Sequence, residues 1–196
     1  MPAKIRTTQT YNQIAECFIE RNRDRGPIKK NVDRFTQHLT QGSLVLDIGC
    51  GPGFDAKLLR DRGFRVVGVE LSSRMIEVGK RHFPGLFVQT DMEHLPFKTI
   101  ADGLWINASF LHVERDVVAQ TLREFHFVLR SKGIIFINVK EGSGEGWEYG
   151  PYDESLPRWF TYWKAEDLEC SLTSNGFRIL DLWSNGTWIR CCAMKE

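Results

Sequence analysis

Three acidic residues follow three consecutive β-rich segments of this sequence. Asp47 lies near the end of LVLDI, Glu70 ends RVVGVE, and Asp91 comes directly after LFVQT. If these segments are neighbouring parallel strands, their carboxyl ends meet at one edge of a sheet, where the ligands of open α/β sheets bind. Carboxylates at that edge accept hydrogen bonds from hydroxyl, amino and ammonium groups. The spacing therefore predicts a site for a ligand that carries such donors.

A glycine loop, GCGPG, follows the first of these strands. It places glycines at 49, 51 and 53. A dinucleotide fingerprint would need its third glycine where Phe54 stands, and a Walker loop would need a following Gly-Lys-Ser/Thr. Asp47 would repel a pyrophosphate, which such loops otherwise bind, whereas it suits an ammonium group. S-adenosylmethionine carries an amine and a sulfonium and has no phosphate, so the loop favours this cofactor over a dinucleotide.

The other two carboxylates fit the rest of that cofactor. Glu70 can accept both ribose hydroxyls, an arrangement that nicotinamide dinucleotide sites also use. Asp91 can accept a hydrogen bond from the adenine amino group, while Met92 provides a backbone N–H to the ring. A dinucleotide-dependent oxidoreductase stays open as a distant alternative, because Glu70 alone does not discriminate between the two cofactors.

The segments around these residues alternate between strands and helices, which predicts a mostly parallel sheet with helices on both faces. Strands are predicted at 44–48, 65–70, 86–90, 102–107 and 133–139, and helices at 11–22, 28–40, 54–62, 73–82, 115–130 and 165–174. Two further β-rich runs, 177–183 and 187–194, flank Asn185-Gly186, a strong hairpin signal, so the sheet is expected to end in an antiparallel pair. Residues 140–163 show no clear element, and we predict a lid there.

The composition is that of an ordinary globular protein. Of the 196 residues, 42% are hydrophobic and 26% are charged, and the formal net charge of +1 lacks the basic excess of a nucleic-acid-binding protein. No apolar run approaches the roughly 18 residues of a membrane span. The five cysteines form no C-x-x-C pair. We expect one domain over residues 1–196, reduced thiols, a cytoplasmic location, no metal, and neither a nucleic-acid nor a membrane partner.

These motifs resemble those of the small single-domain bacterial class I S-adenosylmethionine-dependent methyltransferases, over nearly the full chain. VLDIGCGPG is similar to the glycine-loop motif, VVGVELS to the ribose-acid strand, and TDMEHLPF to the adenine loop. ADGLWINASFLHV is similar to the fourth strand and the turn beneath the methionine moiety of the cofactor. EFHFVLRSKGIIFINV is similar to the segment before strand five, although Ser131 and Lys132 replace the usual Pro-Gly, a departure in a turn that we expect to leave the site unaffected. The resemblance implies a Rossmann-like α/β fold with a seven-stranded sheet in the order 3-2-1-4-5-7-6, strand 7 being antiparallel.

The resemblance also implies a site. S-adenosylmethionine would be the cofactor and S-adenosylhomocysteine the product, with helices from residues 1–40 lying over the cofactor and residues 140–163 over the acceptor. The expected cofactor-binding residues are Tyr11, Asp47, Gly49, Cys50, Gly51, Glu70, Leu71, Met75, Asp91, Met92, Asn107 and Ala108. The expected reaction is in-line methyl transfer to an O, N or S atom of a small-molecule acceptor.

Fewer residues stand out for the acceptor. His112 is the candidate general base, because an imidazole with a reference pKa of about 6.5 accepts protons near neutral pH. The alternative is a histidine that only packs on the following helix. Substrate contacts are expected from the lid residues Glu141, Trp147, Arg158 and Tyr162. Lid acids beside an aromatic ring favour a cationic or amine acceptor, unless they are simply solvated.

Two other kinds of function stay open. A methyltransferase acting on RNA or protein would share the cofactor site, but an RNA substrate predicts a basic surface around the lid, and this lid is acidic. A regulatory protein that binds the cofactor without turnover would keep the same motifs. The sequence does not decide between a monomer and a homodimer.

Overall fold

A seven-stranded mixed sheet forms the centre of the computed structural model, which describes residues 2–24 and 26–196. The strands are β1 (Leu44–Ile48), β2 (Arg65–Glu70), β3 (Leu86–Gln89), β4 (Ala101–Asn107), β5 (Leu129–Lys140), β6 (Glu145–Glu148), β7 (Arg158–Thr161), β8 (Phe177–Ser184) and β9 (Trp188–Lys195). The helices are α1 (Ala3–Arg21), α2 (Lys29–Thr36), α3 (Phe54–Asp61), α4 (Ser73–His82), α5 (Val118–Val128) and α6 (Ala165–Thr173). None of these described helices is long and apolar enough to cross a membrane.

The sheet has the order β3-β2-β1-β4-β5-β9-β8. Neighbours from β3 to β5 are parallel, and β9 runs antiparallel to both β5 and β8. Since β6 and β7 lie outside this sheet, β8 and β9 are its sixth and seventh strands in chain order. The predicted Rossmann-like α/β fold, its strand order and its terminal antiparallel pair are therefore confirmed.

Apolar side chains cover both faces of the sheet. On one face, α5 and α6 pack over β4, β5 and β9, with Phe110, Phe125 and Leu168 fully buried. On the other face, α2 and α3 cover a cluster in which Trp105 and Phe136 stack with their ring centroids 4.1 Å apart. Burying both faces of parallel strands explains why their sequences read as continuous apolar runs.

Helix α1 begins at Ala3, well before the start predicted at residue 11. Its first turns bury Thr7 and Thr10, whose polar character hides the apolar period that marks a helix. The Thr10 hydroxyl donates to the Pro157 carbonyl at 2.7 Å, and the Thr7 hydroxyl accepts from the Trp159 N–H at 2.9 Å. These threonines therefore attach α1 to a distant part of the chain.

Two other predicted helices are shorter than expected. The helix predicted at 28–40 is a 3-10 turn, Gly26–Ile28, followed by α2, which ends at Thr36. The helix predicted at 115–130 likewise starts with a 3-10 turn, Arg115–Val117, and ends at Val128. Leu129 adopts an extended conformation, with φ −74° and ψ 138°, so β5 starts directly where the helix ends.

The segment 140–163, predicted to lack regular structure, contains a hairpin. β6 pairs antiparallel with β7, so that Trp147 lies opposite Trp159 and Glu148 lies opposite Arg158. The two tryptophan rings meet edge to face at 5.4 Å. Each strand has only four residues, which is too few for its alternation to be distinguished from a loop. We call residues 145–161 the lid hairpin.

The departure at Ser131 and Lys132 lies away from the carboxyl edge. Lys132 has φ 62°, in the left-handed region that favours glycine. It precedes the part of β5 that pairs with Gly103, near the start of β4, and therefore lies at the opposite edge of the sheet. This placement agrees with the expectation that the substitution leaves the site unaffected.

Candidate active site

A cavity of 610 Å³ lies at the carboxyl edge of the sheet, beneath α1 and the lid hairpin. Its volume is within the range of about 300–1,000 Å³ that small-molecule sites occupy. All the residues predicted to bind the cofactor line it, and so do His112 and Arg158. The fold thus brings the predicted cofactor residues to one place, while their binding roles stay predictions.

The glycine loop between β1 and α3 forms one wall of the cavity. Gly49 has φ 68°, and a Cβ atom there would lie 2.3 Å from the Ser109 Cβ. Ser109 is held in this position because its hydroxyl donates to the Ile48 carbonyl at 2.6 Å. Gly51 has φ 53°, and a Cβ there would meet nothing closer than the Phe18 ring at 3.9 Å. The loop therefore leaves space beside Gly51 in which a ligand can approach the backbone closely.

Glu70 ties this loop to the end of β2. Its carboxylate accepts backbone N–H groups from Gly51 at 2.8 Å, Leu71 at 2.8 Å and Ser72 at 2.7 Å. Burial raises the pKa of Glu70, and these three hydrogen bonds limit the rise. A carboxylate accepts about four hydrogen bonds, so about one position is left for a ligand hydroxyl. Accepting both ribose hydroxyls, as predicted, would require one of the backbone bonds to lengthen.

Negative charge is concentrated beside the loop. Asp47 is only 2% exposed and lines the cavity together with Glu70. Burial raises the pKa of the Cys50 thiol well above its usual value, and the charges of Asp47, Glu70 and Asp55 raise it further. Cys50 is therefore a neutral thiol in a region of negative potential, which favours a positively charged ligand group.

A polar chain that sequence analysis missed crosses the ends of β4 and β5. The Asp55 carboxylate accepts the Trp105 indole N–H at 3.0 Å and the Asn107 amide at 2.7 Å. Asn138 in turn donates to the Asn107 side-chain oxygen at 2.7 Å, since the two asparagines are register partners on neighbouring strands. These contacts fix the Asn107 side chain in the cavity wall. Sequence analysis could have found the pair formed by Asn107 and Asn138 only if the register of β4 and β5 had been known.

Lys4 was also missed, and it holds two carboxylates of the loop that follows β3. Its ammonium forms ion pairs with Asp91 and with Glu93, the latter at 2.7 Å. Burial alone would lower the pKa of Lys4, but the hydrogen bonds to these two acids raise it overall. Within the described chain, Asp91, Glu93 and His94 bring three potential metal-ligand atoms within 4.8 Å of one another. The Lys4 ammonium already binds two of the three residues.

His112 joins Tyr11 to the lid hairpin. Its Nδ1 bonds the Trp159 carbonyl at 2.5 Å, so Nδ1 carries the proton and Nε2 accepts the Tyr11 hydroxyl at 2.8 Å. Burial lowers the pKa of His112 to about 3, although the Trp159 carbonyl opposes this shift. A neutral imidazole whose nitrogens are both engaged is a weak base. The geometry therefore favours a positioning role for His112. Its role as a general base stays a prediction that kinetic measurements would test.

The depressed pKa of His112 predicts acid sensitivity. The unfolded chain binds a proton at this residue below about pH 6.5, whereas the folded chain does not until about pH 3. The free energy of unfolding therefore decreases as the pH is lowered through this window. Between pH 7.5 and pH 5 the loss is about 2 kcal/mol. Urea titrations at these two pH values measure the free energy of unfolding. Its decrease from pH 7.5 to pH 5 should be smaller in His112→Asn than in wild type by about 2 kcal/mol. His38→Asn, at an exposed site, is the control; equal differences in wild type and His112→Asn would contradict the assignment.

Three of the four predicted substrate residues do not line the cavity. Glu141 accepts the Ser184 hydroxyl, and Trp147 packs against Trp159 and beneath the Arg6 guanidinium. Tyr162 donates its hydroxyl to a lid acid, Glu148. The contact of Trp147 with Arg6 joins the lid hairpin to α1, and the contact of Tyr162 with Glu148 joins β6 to the residue that follows β7. Arg158 does line the cavity, so it is the predicted lid residue that the fold places beside a ligand.

The lid acids are engaged within the protein. Glu145 accepts the Arg115 backbone N–H at 3.0 Å and the Thr161 hydroxyl at 3.1 Å. Glu148 forms an ion pair with Lys140 at 2.8 Å. Since Glu141 is hydrogen-bonded as well, the geometry favours acids that are engaged within the protein, and the cationic acceptor stays a prediction. The sequence shows these acids without the donors that the fold places beside them, which are Lys140 for Glu148 and neutral N–H or hydroxyl groups for Glu145 and Glu141.

Comparison with known proteins agrees with this geometry. Residues 46–137 match a family model described as a methyltransferase domain. This match, the methyltransferase relatives and the solved structures support the predicted resemblance to the class I S-adenosylmethionine-dependent methyltransferases. A malonyl-[acyl-carrier protein] O-methyltransferase of Hamiltonella defensa is 28% identical over 132 residues, which are 64% of this chain and 51% of the relative. The chain spans about half the length of the curated relatives it matches.

Solved structures share the class I methyltransferase fold. The 1,6-didemethyltoxoflavin-N1-methyltransferase of Burkholderia thailandensis, solved with 1,6-didemethyltoxoflavin and S-adenosylhomocysteine, has a TM-score of 0.77 and 20% identity, covering 100% of this chain and 90% of that chain. The [4+2]-cyclase SpnF has a TM-score of 0.66 and 20% identity, covering 85% and 80% of the two chains. At such identities the similarity shows the fold alone.

The residues of the cavity fit S-adenosylmethionine, the cofactor that the sequence predicts. The space beside Gly51 leaves the loop backbone accessible, as close approach of a ligand requires. Carboxylates at the ends of β1 and β2 and after β3 match the amine and hydroxyl donors of such a ligand. Asp47, beside the glycine loop, would repel the phosphates of a dinucleotide.

Proposed function

We propose that this chain transfers a methyl group from S-adenosylmethionine to an O, N or S atom of a small molecule. The observation that carries the proposal is the extent of the cavity. It continues past the predicted cofactor residues to a second half, lined by Asn138 and Lys140 of β5 and by Trp188 and Arg190 of β9. An acceptor bound there would lie beside the methionine end of the cofactor site at Asn107 and Ala108.

Little side-chain chemistry is required for this reaction. The bound cofactor supplies a methyl group on a sulfonium, which is already a good leaving group. Proximity and alignment can lower such a barrier by roughly 7–11 kcal/mol. The residues of the chain act by holding the acceptor in line and by excluding water. The Tyr11 hydroxyl, fixed by His112 and by Arg158 at 3.4 Å, holds the roof of the cavity in place.

The cover over the cavity supports a small acceptor rather than RNA or protein. Besides the threonine contacts of α1, the Arg21 guanidinium donates to the Pro151 carbonyl at 2.6 Å. The Asn22 amide donates to the Tyr152 hydroxyl at 2.8 Å. A polymer would need this cover to open fully, whereas a small molecule can be enclosed beneath it.

A second candidate is a protein that binds the cofactor but does not transfer its methyl group. The similarity to SpnF, which is named as a cyclase, favours keeping this candidate, because the fold does not fix the reaction. Detection of S-adenosylhomocysteine as a product separates the two candidates.

Thermal unfolding tests the cofactor, and turnover tests the function. With about 1 mM S-adenosylhomocysteine and a dissociation constant of about 10 μM, binding would stabilise the fold by about 2.7 kcal/mol, a shift of roughly 5–10 °C. S-adenosylmethionine should act similarly and NADH should not. A shift with NADH alone would overturn the cofactor assignment. If the sulfur ligands bind, pools of acceptors should release S-adenosylhomocysteine in the first candidate but not in the second.

A further inference from the structure

We propose that the acceptor carries a carboxylate or a similar anionic group, and that Arg190 and Arg158 bind it in the second half of the cavity. The inference rests on the proposed function, since it names the class of acceptor for that reaction. It also replaces the cationic acceptor expected from the lid sequence.

Arg190 is a half-buried cation in the cavity wall with few partners. It lies on β9 opposite Asn138 of β5. The only hydrogen bond of its guanidinium among the described residues is a long one, 3.4 Å from Nη1 to the Trp188 carbonyl, and its buried Nε has no partner there. The described residues also place no carboxylate within the 4.0 Å ion-pair distance. Burial lowers the pKa of Arg190, and no charge among the described residues counteracts this shift.

Arg158 is a second cavity cation without a carboxylate partner in the described chain. It is only 8% exposed, and its guanidinium lies 5.1–5.7 Å from the ring centroids of Tyr11, Tyr152 and Phe160. It donates to the Gly150 carbonyl at 2.9 Å and to the Tyr11 hydroxyl at 3.4 Å. Since a guanidinium has five N–H donors, several remain for a ligand.

The other cavity cations differ from these two. Lys4 is paired with Asp91 and Glu93, and Lys140 is paired with Glu148. Burying an unpaired charge is costly, so an anionic ligand beside Arg190 and Arg158 would be stabilised. The planar fork of a guanidinium also matches a carboxylate better than a lysine does.

The position of Arg190 separates the acceptor from the cofactor. The loop and the acids assigned to the cofactor lie at the ends of β1, β2 and β3, whereas β9 lies beyond β4 and β5 in the sheet. An anion held at β9 would leave the rest of the acceptor directed toward Asn107 and Ala108 at the end of β4. The carboxylate of the cofactor is the other anion that Arg190 could bind. The affinity of Arg190 variants for the cofactor distinguishes this alternative from binding of the acceptor.

The test compares acids with their amides on protein saturated with S-adenosylhomocysteine. The probes are malonate, benzoate and 4-hydroxybenzoate, each beside its primary amide, and inorganic phosphate, with affinities taken from thermal unfolding. We expect at least one carboxylate to bind at least tenfold more tightly than its amide. Arg190→Gln should remove this preference and leave the affinity for S-adenosylhomocysteine unchanged. Binding by phosphate alone would identify a phosphorylated acceptor instead of a carboxylic acid.

The controls separate this site from surface binding. Arg178→Gln removes the same charge from an exposed position on β8 and should keep the preference. Arg190→Lys keeps the charge but lacks the planar fork, so it should retain part of the preference for carboxylates over amides. This variant also provides a test if Arg190→Gln does not fold. Equal binding of all anions and amides, or a preference that survives in Arg190→Gln, would overturn the proposal. So would an Arg190→Gln protein that loses affinity for S-adenosylhomocysteine but not for 5′-methylthioadenosine. Failure of wild type to bind S-adenosylhomocysteine would instead refute the proposed function.

Discussion

Replacing Glu70 by glutamine is expected to weaken binding of S-adenosylhomocysteine and of 5′-methylthioadenosine by the same factor, about 100-fold. Both ligands contain the ribose, and a hydrogen bond to a charged acceptor contributes about 1.5–3 kcal/mol. The carboxylate also accepts the N–H groups of Gly51, Leu71 and Ser72. A glutamine amide would place its own N–H groups against one side of this set, so the glycine loop would lose its anchor as well.

Isothermal titration calorimetry measures the two affinities. Urea unfolding measures how much stability is lost when the glycine loop loses its anchor. The free energy of unfolding of Glu70→Gln should fall by about 2 kcal/mol, because a backbone donor at Gly51 or at Leu71 and Ser72 loses its acceptor. Glu77→Gln, which changes an exposed acid on α4, is the matched control. Unchanged affinity for both ligands in a folded Glu70→Gln protein would exclude the ribose role.

Replacing Asp47 by asparagine is expected to separate the two ligands. S-adenosylhomocysteine should bind about 10- to 100-fold more weakly, because its ammonium loses a charged acceptor. 5′-Methylthioadenosine lacks the amino-acid end and should bind as it does to wild type. The buried position of Asp47, where its charge adds to that of Glu70 and raises the pKa of Cys50, strengthens its effect on a cationic ligand group.

The ratio of the two affinities is therefore the decisive quantity. It should shift in Asp47→Asn and stay constant in Glu70→Gln, so each variant serves as the control for the other. An equal loss for both ligands in Asp47→Asn would mean that the loop has changed shape, and not that an ammonium contact has been removed. Circular dichroism of both variants verifies that each is folded.

The cofactor half of the cavity could be predicted because its signals are local. Asp47 and Gly51 stand within one short motif, and the alternation of strands and helices already places their neighbours at the same edge. The polar partners Lys4, Asp55 and Asn138 could not be predicted, since each depends on contacts between segments far apart in the sequence. Thr7 and Thr10 hid the start of α1 because buried threonines look polar until their partners in the lid hairpin are known.

The acceptor half was the least accessible to sequence analysis. The acids of the lid were visible, but the groups that bind them, such as the Lys140 ammonium at Glu148, were not. Arg190 gave no signal at all, since a single arginine in an apolar strand has no distinguishing neighbours in the sequence. Its place in the cavity wall depends on the insertion of β9 between β5 and β8.

That insertion also has a consequence for the order of folding. β9 follows all the other described strands along the chain, yet it lies inside the sheet and hydrogen-bonds to β5 on one side and β8 on the other. During synthesis, β1 to β5 can assemble as soon as they leave the ribosome, whereas the outer edge of β5 stays unpaired until β9 emerges. The nascent chain would therefore complete the cofactor side of the cavity first. Until β9 with Arg190 is in place, the unpaired edge of β5 would be prone to aggregation.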